Sequence, residues 1–271
     1  MSADRGDQVL ALAQREFDAL LRTPAYLLLA ALFGLSVLAV PLLGGAGGYL
    51  PLVLNLATPV EVLVPVLAVG LGYRAVVADE ARGELEVLRT YPIDRATYVA
   101  GTYLGRAALL AVAVAAPLVL GVLAVPLTDQ PAPSFLASHA TVDSPTYYAR
   151  FAFLAVVYAL VVLAVVMPLS AVARSRRRAV ALAVTAVLLV VLGIDFALLA
   201  GVAEGLIGPA NLGPALAASP ASAFRGLVLS LAAAPVQSGS FPAPSPLPGA
   251  VSLLAWFVGS LALASVIVWS E

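Results

Sequence analysis

Six long apolar runs constrain this chain more than any other feature. Pro24 to Leu43, Ala107 to Leu127, Phe151 to Val172 and Gly249 to Trp269 carry no charge at all. Leu50 to Tyr73 carries one, Glu61, and Ala179 to Gly201 carries one, Asp195. A helix needs about 20 apolar residues to cross a hydrocarbon core, so each run predicts a transmembrane helix. Barrel strands would alternate over about ten residues, and these runs do not. Helices also satisfy their own backbone donors and acceptors in lipid. The expected fold is therefore an all-α membrane protein with six transmembrane helices. Composition agrees. Of 271 residues, 62% are hydrophobic and 11% charged, against about 45–50% and about 25% in a soluble domain. An ordinary soluble enzyme, a disordered tail and a nucleic-acid binder are excluded.

Charge placement gives the orientation. All 14 basic residues are arginine. With the N-terminus inside, only Arg150 and Arg225 fall on the outer side, and the positive-inside rule favours that arrangement. Both termini are then expected to be cytoplasmic in the plasma membrane. Met1 to Gln14 lack the apolar core of a cleavable signal peptide. A single membrane domain over residues 1–271 is expected.

Three further segments carry information. Asp7 to Arg22 predicts an amphipathic helix ahead of the first span, with Leu10, Ala13, Phe17 and Leu20/Leu21 on one face and Gln14, Arg15, Asp18 and Arg22 on the other. Residues 74–106 form the longest polar loop assigned to the inside. Within it, 79–89 predicts a short charged helix with an apolar stripe of Ala81, Leu85 and Leu88, supported by Arg82–Glu86 and Glu86–Arg89 pairs. Pro92 ends it, and Asp94 is placed to cap the next helix. A charged helix of this kind has no core of its own to cover, so Leu85 and Leu88 point to a partner protein. Third, Gly226 to Val236 is apolar but too short to cross, which fits a re-entrant or interfacial segment between spans five and six.

The run Glu80, Gly83, Leu85, Leu88, Pro92, followed by Gly101 and Gly105, resembles the signature of type-2 ABC transporter permeases. Arg15-Glu16-Phe17 and Leu20-Leu21-Arg22 resemble the elbow helix of the same family. The loop and second span look most like permeases of the nitrous-oxide-reductase maturation type. The sequence departs at Glu84, where threonine is common, and at Thr102, where lysine often follows the glycine. The resemblance implies a permease that pairs as a homodimer or with a second permease and is driven by separate ABC ATP-binding subunits. In that reading Glu80, Gly83, Leu85, Leu88 and Pro92 belong to a coupling helix, and Gly101 and Gly105 let the third span pack tightly. Export is the implied direction. ATP would be bound by the partner, since this chain has no lysine and hence no phosphate-binding loop of the G-x-x-x-x-G-K-[ST] form.

Glu61, between Pro59 and Pro65, is the candidate pathway residue, because a carboxylate inside a span is costly and functional by default. Its alternative placement is nearer the outer headgroups. A secondary carrier or channel built on Glu61 is the competing function. Asp195 is expected to be solvated at the interface. His139 and Asp143 lie in an outer loop without enough partners for a metal site. No cofactor is expected in this chain; with no cysteine, one histidine and one internal methionine, any copper would have to sit on another subunit. Arg174 and Arg176 to Arg178 are expected to set topology and contact anionic membrane lipid.

Overall fold

The computed structural model describes residues 5–44, 47–88, 90–91, 93–123, 125–127, 143–173, 175–189, 193–206, 215, 217–232 and 245–268. All regular structure among them is helical. Helix α1 (Arg5–Leu21) precedes α2 (Pro24–Gly44) and α3 (Tyr49–Gly72). Two five-residue helices follow, α4 (Val77–Ala81) and α5 (Glu84–Leu88). The chain continues through α6 (Arg95–Val122), α7 (Pro145–Val172), α8 (Arg176–Leu188), α9 (Ile194–Ala203), α10 (Pro220–Leu227) and α11 (Leu247–Ile267).

Among the described residues, five helices are long and apolar enough to cross a membrane: α2, α3, α6, α7 and α11. The fifth run, 179–201, falls instead on α8 and α9, which flank residues 190–192 outside the described set. The third spanning helix begins at Arg95, twelve residues before the apolar run does. Asp94 caps it as expected, accepting the Thr97 N–H at 2.7 Å. That bond holds the Asp94 carboxyl below its ordinary range.

Helix α7 is the centre of the bundle. In its most apolar window 67% of residues are buried, against 22% in α2 and 17% in α11. It packs on α3, α6 and α11. Polar groups fix its ends. The Ser170 hydroxyl accepts the Val76 N–H at 3.0 Å and donates to the Tyr73 carbonyl at 2.9 Å. Asp143, two residues before α7, accepts the N–H groups of Tyr49 and Leu50 at 2.8 and 2.9 Å. That carboxylate covers the positive end of α3.

The amphipathic helix α1 lies along α6. Its buried face matches the expected one in part, at Leu20 and at Phe17, which packs on the main core. Leu12, Glu16 and Leu20 are buried, while Leu10 is 66% exposed and Leu21 is 41% exposed. The close approach comes from the two glycines of α6. A Cβ on Gly101 would stand 2.5 Å from Leu12 Cβ, and one on Gly105 would stand 2.7 Å from Glu16 Cβ. Gly101 and Gly105 thus seat α1 against α6. Gly105→Leu is expected to cost at least about 1–3 kcal/mol by overpacking and to free α1. Increased protease cleavage within residues 5–21 would register the detachment; a protection pattern equal to the parent's would count against it.

Candidate functional site

Two charged junctions stand out in a chain so poor in charge. The first gathers α1, the loop after α3 and the start of α6. Arg15 reaches Asp79 at 2.8 Å, Glu16 at 3.1 Å and Glu84 at 3.3 Å. Arg82 reaches Asp79 and Glu84, both at 2.7 Å. Tyr98 on α6 donates its hydroxyl to Asp79 at 2.9 Å. Arg106, 6% exposed, pairs with Glu16 at 2.6 Å, also 6% exposed, and donates to the Leu71 carbonyl at the end of α3. Burial works against the charge on Arg15, but Asp79 and Glu16 outweigh it, so its pKa is raised. Four elements are joined here: α1, the end of α3, the α4–α5 segment and α6.

This geometry corrects the expected helix over 79–89. The segment is two short helices, broken at Gly83, whose φ is +71°. That left-handed conformation favours glycine. Nothing lies within 4 Å of a Cβ built there, so the residue supplies a bend rather than a close approach. The break replaces the expected Arg82–Glu86 pair with Arg82 to Asp79 and Glu84. It also turns Leu85 inward. Leu85 is 6% exposed and belongs to the main apolar core, so it anchors the segment instead of offering itself to a partner. Glu80 is exposed. Leu88 closes α5, and its side chain, with Arg89 and Pro92, lies outside the described residues. The large apolar groups exposed on this segment are Val87 at 57% and Tyr91 at 59%.

The second junction is at mid-span. Glu61 sits at the centre of the 24-residue α3 and is buried. Arg225 of α10 grips both its carboxylate oxygens in a bidentate pair. Such pairs are among the strongest hydrogen bonds a protein makes. Arg225 also reaches Asp195 at 3.5 Å. Asp195 accepts the hydroxyls of Ser219, at 2.8 Å, and Ser222. Below the pair, Phe224 stacks on Tyr158 with ring centroids 4.7 Å apart, and Tyr158 donates to the Glu61 carbonyl at 3.3 Å. Along the chain Glu61 is at the midpoint of α3, and that much of the expectation holds. The pairing of Arg225 was not expected, and Asp195, expected to be solvated, is 22% exposed and held by two serine hydroxyls and a guanidinium.

The short segment between the last two runs is the element that builds this junction. It spans Pro220–Leu227 and continues as a wider π turn, Val228–Ala232. Ser219 caps it, accepting the Ser222 N–H at 3.0 Å. It is packed against α7 and α11. His139 lies outside the described residues.

Several long apolar helices, tied together by charged junctions at their ends and between them, define a multi-pass helical membrane protein. The profile of the ABC-2 family transporter proteins matches residues 53–268, most of the chain. The chain belongs to that family and is a transmembrane ABC transporter permease. A relative from Stutzerimonas stutzeri, named probable ABC transporter permease protein NosY, is 29% identical over 276 residues, covering 96% of this chain and 98% of that protein.

Proposed function

We propose that this permease is the membrane subunit of an ATP-driven exporter, powered by a separate ATP-binding subunit seated on residues 77–91. The observation that carries the proposal is the first junction. A push on α4 and α5 is transmitted through Asp79 and Glu84 to Arg15 on α1, and by Tyr98 and the Glu16–Arg106 pair to α6 and the end of α3. The Glu16–Arg106 pair, with both partners 6% exposed, resists shearing, because separating it strands a charge in a medium that solvates it poorly, and Asp79, 2% exposed, is held likewise by Arg15, Arg82 and Tyr98. The segment is thus a rigid lever and not a loose loop. Val87 and Tyr91 form its contact surface, and Leu85 is its root.

In this reading α8 and α9 together make the sixth span, and both termini are cytoplasmic. That orientation places the first junction and Arg176 to Arg178, all exposed on α8, on the inner side in keeping with the positive-inside rule. Two permeases, identical or different, enclose the pathway, and the basic end of α8 meets anionic lipid. No catalytic group, cofactor or metal in this chain is required. Glu61 is held by Arg225 in this conformation and so serves as a latch between α3 and the α10 segment; a carrier would need that carboxylate free to load its coupling ion.

Val87→Asp is expected to reduce co-purification with the ATP-binding subunit by about tenfold or more, as for loss of an apolar contact at the centre of an interface. Membrane insertion and thermal stability of the permease should be unchanged, since Val87 is exposed. Undiminished capture of the ATP-binding subunit by the variant would refute the assignment. Leu85→Asp is the less informative change, because it damages the permease itself.

A further inference from the structure

We infer that the chain holds a membrane phospholipid between α7, α10 and α11, with its phosphate on Arg150 and an acyl chain in the adjoining groove. This goes beyond the transport reading and does not rest on it. The groove has a volume of about 470 Å³ and is lined by apolar side chains, among them Phe153, Val157, Leu231, Leu254 and Phe257. It opens on an exposed apolar side of the bundle, where Phe153 is 68% and Leu254 is 62% exposed.

Arg150 marks one end of the groove. It stands one turn before Phe153 and Leu154 on α7 and donates to the carbonyl of Leu231 at 2.9 Å, a residue that lines the groove. That contact uses one of the five N–H donors of the guanidinium. Among the described residues no carboxylate pairs with Arg150. The side chain lies near the start of α7, at the end of the bundle opposite Arg176 to Arg178, where a long basic side chain reaches headgroup depth. A planar guanidinium there matches a phosphodiester in charge and geometry.

A second copy of the chain fits this surface less well. The five long spanning helices together carry a single carboxylate, Glu61, already held by Arg225. The membrane face of another copy would therefore bring no anion to Arg150. A phospholipid brings both halves of the match, an anion at the headgroup level and a flexible apolar chain below it.

The test is native mass spectrometry of the full chain in a mild detergent, titrated with dioleoylphosphatidylglycerol and, separately, with dioleoylglycerol, which lacks the phosphate. The expected result is retention of one phosphatidylglycerol per chain and about tenfold weaker retention of the phosphate-free lipid, the size of a lost charge-assisted hydrogen bond. Arg150→Gln should reduce phosphatidylglycerol to the dioleoylglycerol level, and Arg150→Lys should keep part of the difference. Leu254→Trp, which crowds the groove from an exposed position, should weaken both lipids. Equal retention of the two lipids by the parent protein overturns the proposal without recourse to any variant. So does phosphatidylglycerol binding that neither Arg150→Gln nor Leu254→Trp alters, which would indicate a non-specific lipid shell. A dimer displacing the lipid peak would assign the groove to a second copy instead.

Discussion

Arg106→Ala is expected to destabilise the permease by about 3–5 kcal/mol, the loss seen when one partner of a buried ion pair is removed. The magnitude follows from the burial of both partners. Glu16 and Arg106 are each 6% exposed, so alanine strips the buried Glu16 of its buried partner and leaves it only Arg15, 38% exposed and already shared with Asp79. It also removes the donor to the Leu71 carbonyl, which ties the end of α3 to α6. The expected observable is a lower unfolding midpoint in detergent, with aggregation at temperatures the parent tolerates. A compensating double replacement, Glu16→Gln with Arg106→Met, should recover most of the stability, because an uncharged pair of similar volume carries no desolvation penalty. It should nevertheless impair transport if the pair transmits force from the α4–α5 segment. A parent-like midpoint for Arg106→Ala would remove the basis for calling this junction rigid.

Arg225→Ala is expected to cost about 3 kcal/mol, the lower end of the same range. Arg225 is itself 52% exposed, but the Glu61 side chain it leaves behind is only 12% exposed. The second carboxylate, Asp195, keeps its serine hydroxyls and suffers less. Glu61→Gln in the Arg225→Ala background should therefore restore stability, and the double-mutant cycle should give a coupling of at least about 1 kcal/mol. Strict additivity of the two single changes would show that the pair contributes nothing in the membrane. In transport assays, Glu61→Gln alone tests the latch. It should loosen α10 from α3 and raise ATPase activity that is not coupled to substrate.

How far the sequence could be read depended on whether a feature was local. The spanning helices follow from hydrocarbon thickness and from the need to satisfy every backbone group within one segment, so five of the expected runs fall on long apolar helices, although the third of these starts at Arg95 and the run 179–201 falls on two shorter helices. The cap at Asp94 is equally local: a carboxylate three residues before a free N–H. The family signature was legible for the same reason, being a run of residues at fixed spacing.

Pairing across the chain was not legible. Glu16 lies between Leu12 and Leu20 at helical spacing, one carboxylate in an otherwise apolar stripe. Counted simply as polar, it rotated the predicted face of α1 toward Leu10 and Leu21. Its partner Arg106 is 90 residues away. Glu61 and Arg225 are 164 residues apart, and nothing near Arg225 distinguishes it from a loop arginine. A useful signal was present, however: a carboxylate at the centre of a span requires a cation or a proton, and few arginines lay on the outer side to supply one.

The sequence by itself thus determined that this is a helical membrane permease and where most of its spans lie. The tertiary structure alone decided which charges meet, that Leu85 faces inward and Val87 outward, and that α1 rests on two glycines of α6. The physical reason is one of range. Hydrophobicity and backbone hydrogen bonding act along the chain, whereas a buried charge is settled only by the group that folding brings to it.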